Sequence, residues 1–226
     1  MNIRYLGQSS FQIQLKETTL IFDPMISSNN LADHINTDAL EADYILLSHG
    51  HFDHVEDSEK IAKNNNARLI SNFEIVSWYN QKGIDGHPMN LGGKFNFDFG
   101  TVKYVTAVHS SMLPDGSYGG PSGGFVIWNP DISFYFAGDT ALTMDMKLIP
   151  LTCPKLNFAI LPVGDNFTMG YEDAAIAASY IECDTIIGCH FDTFGYIRID
   201  HAAAKAHFKN VGKELILLEV GENIEI

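Results

Sequence analysis

The run Ser48-His49-Gly50-His51-Phe52-Asp53-His54 packs three imidazoles and a carboxylate into one short segment. Zinc-type ions take such donors, and they impose an order on imidazole and carboxylate that a solvated polar loop does not need. The pattern His-x-His-x-Asp-His is expected by chance in about one chain in a thousand of this kind. The run follows Tyr44-Ile45-Leu46-Leu47, which reads as a buried strand, so the donors fall at the strand's C-terminal end. Ligands of α/β sheets usually bind at that edge. Side chains alternate along a strand and a turn redirects them, so His49 and His51 can share one point while Asp53 and His54 swing to a neighbouring one.

Three other predicted strands end in the same residue types. His109 follows Val105 to Val108, Asp139 follows Phe134 to Gly138, and His190 follows Ile186 to Cys189. Five imidazoles and two carboxylates suit two adjacent divalent ions, with one carboxylate bridging; zinc is the first choice, manganese and iron the alternatives. Two ions about 3.5–4 Å apart share a water and lower its pKa from about 15.7 towards about 7, which makes hydroxide available at neutral pH. The expected chemistry is therefore hydrolysis of a small molecule by a metal-bridging hydroxide. Asp53, Asp139 and His190 form the catalytic set, and Asp53 also orients the nucleophile. His34, His87, His201 and His207 lie in predicted loops or helices and are read as structural.

The elements that must position these residues follow from the apolar pattern. Ile3–Leu6, Phe11–Leu15 and Thr19–Phe22 read as a β meander ending at Asp23-Pro24. A helix is expected over 55–65, a strand over 67–71 and a helix over 74–81, stopped by Gly83. Strands follow over 95–99, 102–108, 124–128 and 133–137. Strands over 156–161 and 185–188 flank a helix over 171–181, and a helix over 201–210 precedes a last strand over 215–220. Two groups of strands with helices outside predict two sheets packed face to face in one domain over residues 1–226. The glycines at 119–124 allow backbone to approach a ligand or another strand closely. The segment 165–170 joins a buried strand to a helix, where Thr168 or a neighbour can cap.

Composition narrows the partners. With 226 residues, 46% of them hydrophobic, the chain can bury about 70% of its unfolded surface, which excludes a disordered reading. A net charge of −14 with only 14 Lys and Arg, widely scattered, argues against nucleic acid and anionic membranes as partners. No apolar run approaches the roughly 18 residues of a membrane span, and the N-terminus carries no secretory signal pattern. Cys153, Cys183 and Cys189 lack metal-type spacing and suit free thiols in the cytoplasm. The expected partner is a small-molecule substrate, with a homo-oligomer left open. No basic cluster adjoins the motifs, so a neutral ester, lactone or amide competes equally with a phosphoester.

The segments LGQSSF, IFDP, ILLSHGHFDH, VHSS, YGGPSGGFVI, FYFAGDTAL, LPVGDNFTMGYEDAA and CHFDTF resemble the metallo-β-lactamase superfamily from Asn2 to nearly the C-terminus. Within it they look most like metal-dependent hydrolases close to the L-ascorbate-6-phosphate lactonases. The resemblance implies a four-layer αββα sandwich. It implies that His49, His51 and His109 bind one metal, that Asp53, His54 and His190 bind the second, and that Asp139 bridges. It also implies a substrate-side role for Asp165, to which Thr193, just past His190, is added. Histidine at 51 favours hydrolysis over the flavodiiron oxidoreductases, which carry Glu there. An iron-dependent oxidoreductase or dioxygenase on the same fold is the alternative function. The chain departs from the branch in two places, with Gln8 for a histidine and Phe191-Asp192 for Tyr-Asn.

Overall fold

The computed structural model describes residues 1–226, which divide into two compact units. One comprises Met1–Leu91, Ser110–Ser122 and Glu219–Ile226; the other comprises Gly92–His109 and Gly123–Leu218. Each is built on one seven-stranded mixed sheet.

In the first unit β1 (Asn2–Gly7), β2 (Ser10–Leu15) and β3 (Thr18–Phe22) form the expected antiparallel meander. From β3 onward pairing is parallel, through β4 (Tyr44–Leu46), β5 (Arg68–Asn72) and β6 (Gly86–Met89). Parallel neighbours need crossovers, and these carry α1 (Phe52–Val55), α2 (Ser58–Asn65) and α3 (Phe73–Asn80). Ile45, Leu47 and Leu69 from the sheet side join Ile61 and Ala62 of α2 and Ile75 and Tyr79 of α3 in one buried cluster. β6 carries His87, in place of the loop expected there from the sequence.

The single helix expected over 55–65 is instead α1 and α2, broken at Glu56-Asp57. Asp57 does not cap α2 with its side chain. Its carboxylate accepts from the Ile26 amide at 2.7 Å, the Ser27 amide at 2.9 Å and the Ser27 hydroxyl at 2.5 Å, which ties the turn between the helices to the segment after β3.

In the second unit β7 (Lys94–Phe97), β8 (Gly100–Thr106), β9 (Gly123–Trp128) and β10 (Ser133–Phe136) pair antiparallel. After α4 (Ile149–Thr152) the pattern becomes β11 (Phe158–Pro162), α5 (Tyr171–Tyr180), β12 (Thr185–Cys189), α6 (His201–Asn210) and β13 (Glu214–Ile216), with parallel strands. β11 is buried along its whole length, as a parallel strand covered on both faces should be. Helix α5 buries Ala174, Ala175, Ala177 and Ala178, small side chains that let it lie close to what it covers.

The strand expected over 215–220 ends at Ile216. The edge of β1 recruits the chain beyond it: the Gly221 amide donates to Tyr5 O at 2.8 Å and the Tyr5 amide to Glu222 O at 3.0 Å, leading into β14 (Asn223–Glu225) antiparallel to β1. No helix is long and apolar enough to cross a membrane.

The close approach allowed by the glycines at 119–124 is used against a side chain of the fold. Asn72 is buried; its Nδ2 donates to Gly119 O at 2.7 Å and Pro121 O at 3.1 Å, and its Oδ1 accepts from the Ile75 amide at 2.9 Å as the N-cap of α3. Asn72→Ala removes a cap and two buried donations, so urea unfolding should show a loss of roughly 2–4 kcal/mol.

Candidate metal centre

The parallel pairing of β3 with β4, in register at Phe22 and Leu46, puts the segments that follow both strands side by side. Asp23 therefore meets Ser48. Asp23 is fully buried and lies at φ +41°, and it is held from several directions. Its amide donates to Leu46 O at 3.1 Å, its carbonyl accepts from Ser10 Oγ at 2.7 Å, and its Oδ1 accepts from the Ser48 amide at 2.8 Å. Burial pushes its carboxyl group above the ordinary range, while His54 and Ser48 pull it back.

Asp23 sets two imidazoles. His54 Nδ1 lies 2.7 Å from Asp23 Oδ2, a contact that requires the proton on Nδ1 and leaves the lone pair on Nε2. Ser48 Oγ donates to the same Oδ2 at 2.5 Å, so the oxygen can only accept from His49 Nδ1, 2.9 Å away. The lone pair of His49 is thus also on Nε2. That atom is 3.0 Å from His51 Nδ1, and two ring nitrogens at this distance repel unless His51 turns an N–H to His49 or a metal ion lies between them. Gly50 between them is anchored by its amide to Ser111 Oγ at 3.0 Å, and His51 Nε2 faces Ser110 Oγ at 3.3 Å.

Asp53 and His54 ride on α1. His54 Nε2 is 3.4 Å from Asp53 Oδ2, and the same oxygen accepts from Gln8 Nε2 at 2.9 Å. Gln8 is buried at the tip of the β1–β2 hairpin with φ +53°, and its carbonyl accepts from Tyr5 Oη at 3.0 Å. A left-handed conformation costs a residue with a Cβ about 1–2 kcal/mol, so this is an expensive place for glutamine.

The second unit carries three further donors of its own. His109 and Asp139 each stand three residues past their strands, β8 and β10, and His190 directly follows β12. The segments after β8 and β10 are stitched together: the Val108 amide donates to Thr140 Oγ1 at 3.0 Å and the Ala141 amide to Val108 O at 3.1 Å. Asp139 Oδ2 lies 3.0 Å from His190 Nε2 and 3.7 Å from His109 Nε2, so one carboxylate oxygen meets imidazoles from two strand ends.

In the first unit His49 faces His51 and His54 faces Asp53, and in the second Asp139 faces both His109 and His190. Donors around a tetrahedral zinc with bonds near 2.0 Å are about 3.3 Å apart. The donor separations above, 3.0–3.7 Å, bracket that value. The donor set thus fits divalent metal in chemistry and in spacing.

Asp165 and Thr193 stand on the loops after β11 and β12. These loops touch, since a Cβ on Gly164 would overlap the His190 carbonyl oxygen. Asp165 is exposed at φ +61° and Thr193 is half-buried. The expected cap of α5 at Thr168 is absent: its N-cap is Gly170, and Thr168 Oγ1 donates to Met169 O. Phe191 is buried against the His201 ring, and His201 Nε2 meets Asp192 Oδ2 at 2.6 Å. His34 bonds Val220 O.

Neither Asp23 nor Ser48 is among the candidate functional residues that the sequence motifs single out. The signal was available, because Asp23 closes a strand on the edge where the histidine motif begins. In Asp23→Asn, one carboxylate oxygen becomes an amide facing either the Ser48 amide or the two donors on Oδ2. His54 then loses its enforced tautomer, and calorimetric zinc titration should show binding weakened by roughly 10- to 100-fold.

Comparison with known proteins gives the family and the fold. A family model described as a beta-lactamase superfamily domain matches residues 2–190. A UPF0173 metal-dependent hydrolase of Christiangramia forsetii is 55% identical over 100% of both chains, and one of Flavobacterium johnsoniae is 56% identical, also over 100% of both. The solved structure of a metallo hydrolase from the archaeon Ignicoccus hospitalis is 27% identical, with a TM-score of 0.86 over 99% of this chain and 97% of that one. The αββα fold implied by the motifs is therefore the fold of this chain. The chain belongs to the metallo-β-lactamase superfamily, among the UPF0173 metal-dependent hydrolases.

Proposed function

We propose that the protein is a metal-dependent hydrolase of a small molecule, an ester, lactone, amide or phosphoester, with residues 1–226 acting as one hydrolase domain in the cytoplasm. The observation that carries this reading is the direction Ser48 and Asp23 give to the lone pairs of His49 and His54 in the first unit, matched in the second by one Asp139 oxygen that meets His109 and His190. In this reading His49, His51 and His109 hold one ion, Asp53, His54 and His190 the other, and Asp139 serves both. Two divalent ions, zinc in the first instance, would supply a water of lowered pKa as nucleophile and positive charge for the oxygen under attack.

The chain's own residues do the rest. Asp23 and Ser48 keep two imidazoles in the ligating tautomer, so no proton has to leave His49 or His54 when metal enters. Asp139 Oδ2 meets both His109 and His190, which suits a carboxylate that serves two ions. Asp53 orients the nucleophile through its carboxylate. Asp165 and Thr193, on touching loops, are assigned to the substrate side. Phe167 and Tyr196 are exposed on the same loops with ring centroids 6.2 Å apart, and they offer an apolar edge to a substrate. That Cys153 and Cys183 are thiols outside any disulfide supports the cytoplasmic assignment.

The test is a panel of lactones, esters, amides and phosphodiesters offered to the metal-reconstituted protein, with Asp139→Ala as the blank. Wild type should hold about two ions and turn over at least one class; Asp139→Ala should lose bound metal and all turnover together. Full activity of the metal-depleted variant would exclude the scheme. Iron as purified, with oxygen consumed during turnover, would replace it with the oxidoreductase reading.

A further inference from the structure

We propose that Gln8 is a positioning residue for Asp53, holding its carboxylate for the ion shared with His54 and His190. The proposal rests on the reading of Asp53 as a metal ligand and adds to that reading a residue from the opposite end of the first sheet's meander.

Three observations converge on Gln8. Its side chain is entirely buried at a hairpin tip, where the chain is joined by only two residues, Gln8 and Ser9, between paired Gly7 and Ser10. Its φ of +53° is one that glycine adopts freely and glutamine does not. Its Nε2 donates at 2.9 Å to Asp53 Oδ2, the oxygen that lies 3.4 Å from the lone-pair nitrogen of His54. Strain of this kind persists where the surrounding structure enforces it, and it gathers at functional sites.

The amide orientation is set by chemistry. An ionised carboxylate only accepts, so the amide must turn its N–H2 towards Asp53; the reverse would put two oxygens in contact. Gln8 Oε1 is buried and has no hydrogen-bond partner. The bond to Asp53 therefore alone decides how this amide is turned. A glutamine kept only to fill the hairpin would be oriented by its own strands. Tyr5, on β1, instead bonds the Gln8 backbone carbonyl and leaves the side chain to Asp53.

Gln8 Nε2 fixes the direction from which Asp53 Oδ2 accepts, and so contributes to the rotation at which the carboxylate is held. Hydrogen bonds to ligating carboxylates typically contribute 10- to 100-fold to metal affinity. The effect should be confined to one ion, since Gln8 bonds Asp53 and not the imidazoles of His49, His51 or His109. A neutral amide donates without bringing a charge of its own, so it steadies the carboxylate without competing with metal for it.

Stepwise zinc titration by calorimetry on the full-length apo protein tests this. Gln8→Leu removes the donor and Gln8→Glu replaces it with an acceptor; each should weaken one of two binding steps by roughly 10- to 100-fold and leave the other within about 3-fold. Gln8→His, which keeps an N–H, should restore the weakened step to within about 10-fold of wild type. Gln8→Gly relieves the left-handed backbone, so its apo form should melt within a few degrees of wild type while showing the same one-step loss. With an active substrate in hand, kcat at limiting zinc should fall and recover at saturating zinc, with KM unchanged. Asp53→Ala separates the two readings. If it keeps both steps, the assignment of Asp53 as a ligand fails; if it loses one while Gln8→Leu and Gln8→Glu keep both, the role of Gln8 fails. Equal weakening of both steps, or loss that tracks apo melting temperature across the variants, also overturns the proposal.

Discussion

Asp23 is a carboxylate with no exposure to water, and its two oxygens take the Ser48 amide, the Ser48 hydroxyl and the His54 imidazole. Desolvation works against its charge, and only this set of donors makes a buried anion tolerable. The same bonds leave His49 and His54 each with one protonated nitrogen and one lone pair, so the condition that stabilises Asp23 also prepares the imidazoles. Ser10 extends the arrangement, taking the Asp23 carbonyl and accepting from the Met25 amide at 2.8 Å. Ser10, through the Asp23 backbone, and His54, through its side chain, therefore both depend on one residue just past β3.

The second unit solves the matching problem with backbone and hydroxyl contacts. Thr140 takes the Val108 amide on its hydroxyl and the Met169 amide on its carbonyl, which joins three segments around Asp139. His190 at φ +54° and Asp192 at +61° turn the chain sharply after β12, and Asp165 and Asn166 do so after β11. With Gln8 and Asp23, these make six left-handed residues bearing a Cβ on the loops that carry or adjoin the candidate metal ligands. Strain concentrated in this way costs stability, which the buried cores of the two sheets offset.

Most of the fold was legible because its signals are local. The meander over Asn2–Phe22, the helix at His201–Asn210 and the apolar strands at Phe158–Pro162 and Thr185–Cys189 follow from alternation, caps and short apolar runs. The differences have nonlocal causes. The helix after the histidine motif breaks because Asp57 spends its carboxylate on Ile26 and Ser27, and the last strand stops because β1 offers an edge to the chain beyond Gly221. Neither partner can be found by reading a window around the break. β6, with Gly86 and Pro88 inside it, carries too weak a propensity to be read as a strand at all.

The sequence by itself determined the donor types, their order around His49 and their recurrence at three later strand ends, because ligand chemistry and strand periodicity are written in residue identity and spacing. It also carried the family, through motifs spread from Leu6 to Phe194. Only the tertiary structure decided which nitrogen of His49 and of His54 is bare, that Asp139 turns one oxygen to both His109 and His190, and that Gln8 reaches Asp53. Those are facts about partners tens of residues away, and a hydrogen bond of 2.7–3.0 Å exists only once the strands that bring its two ends together have paired.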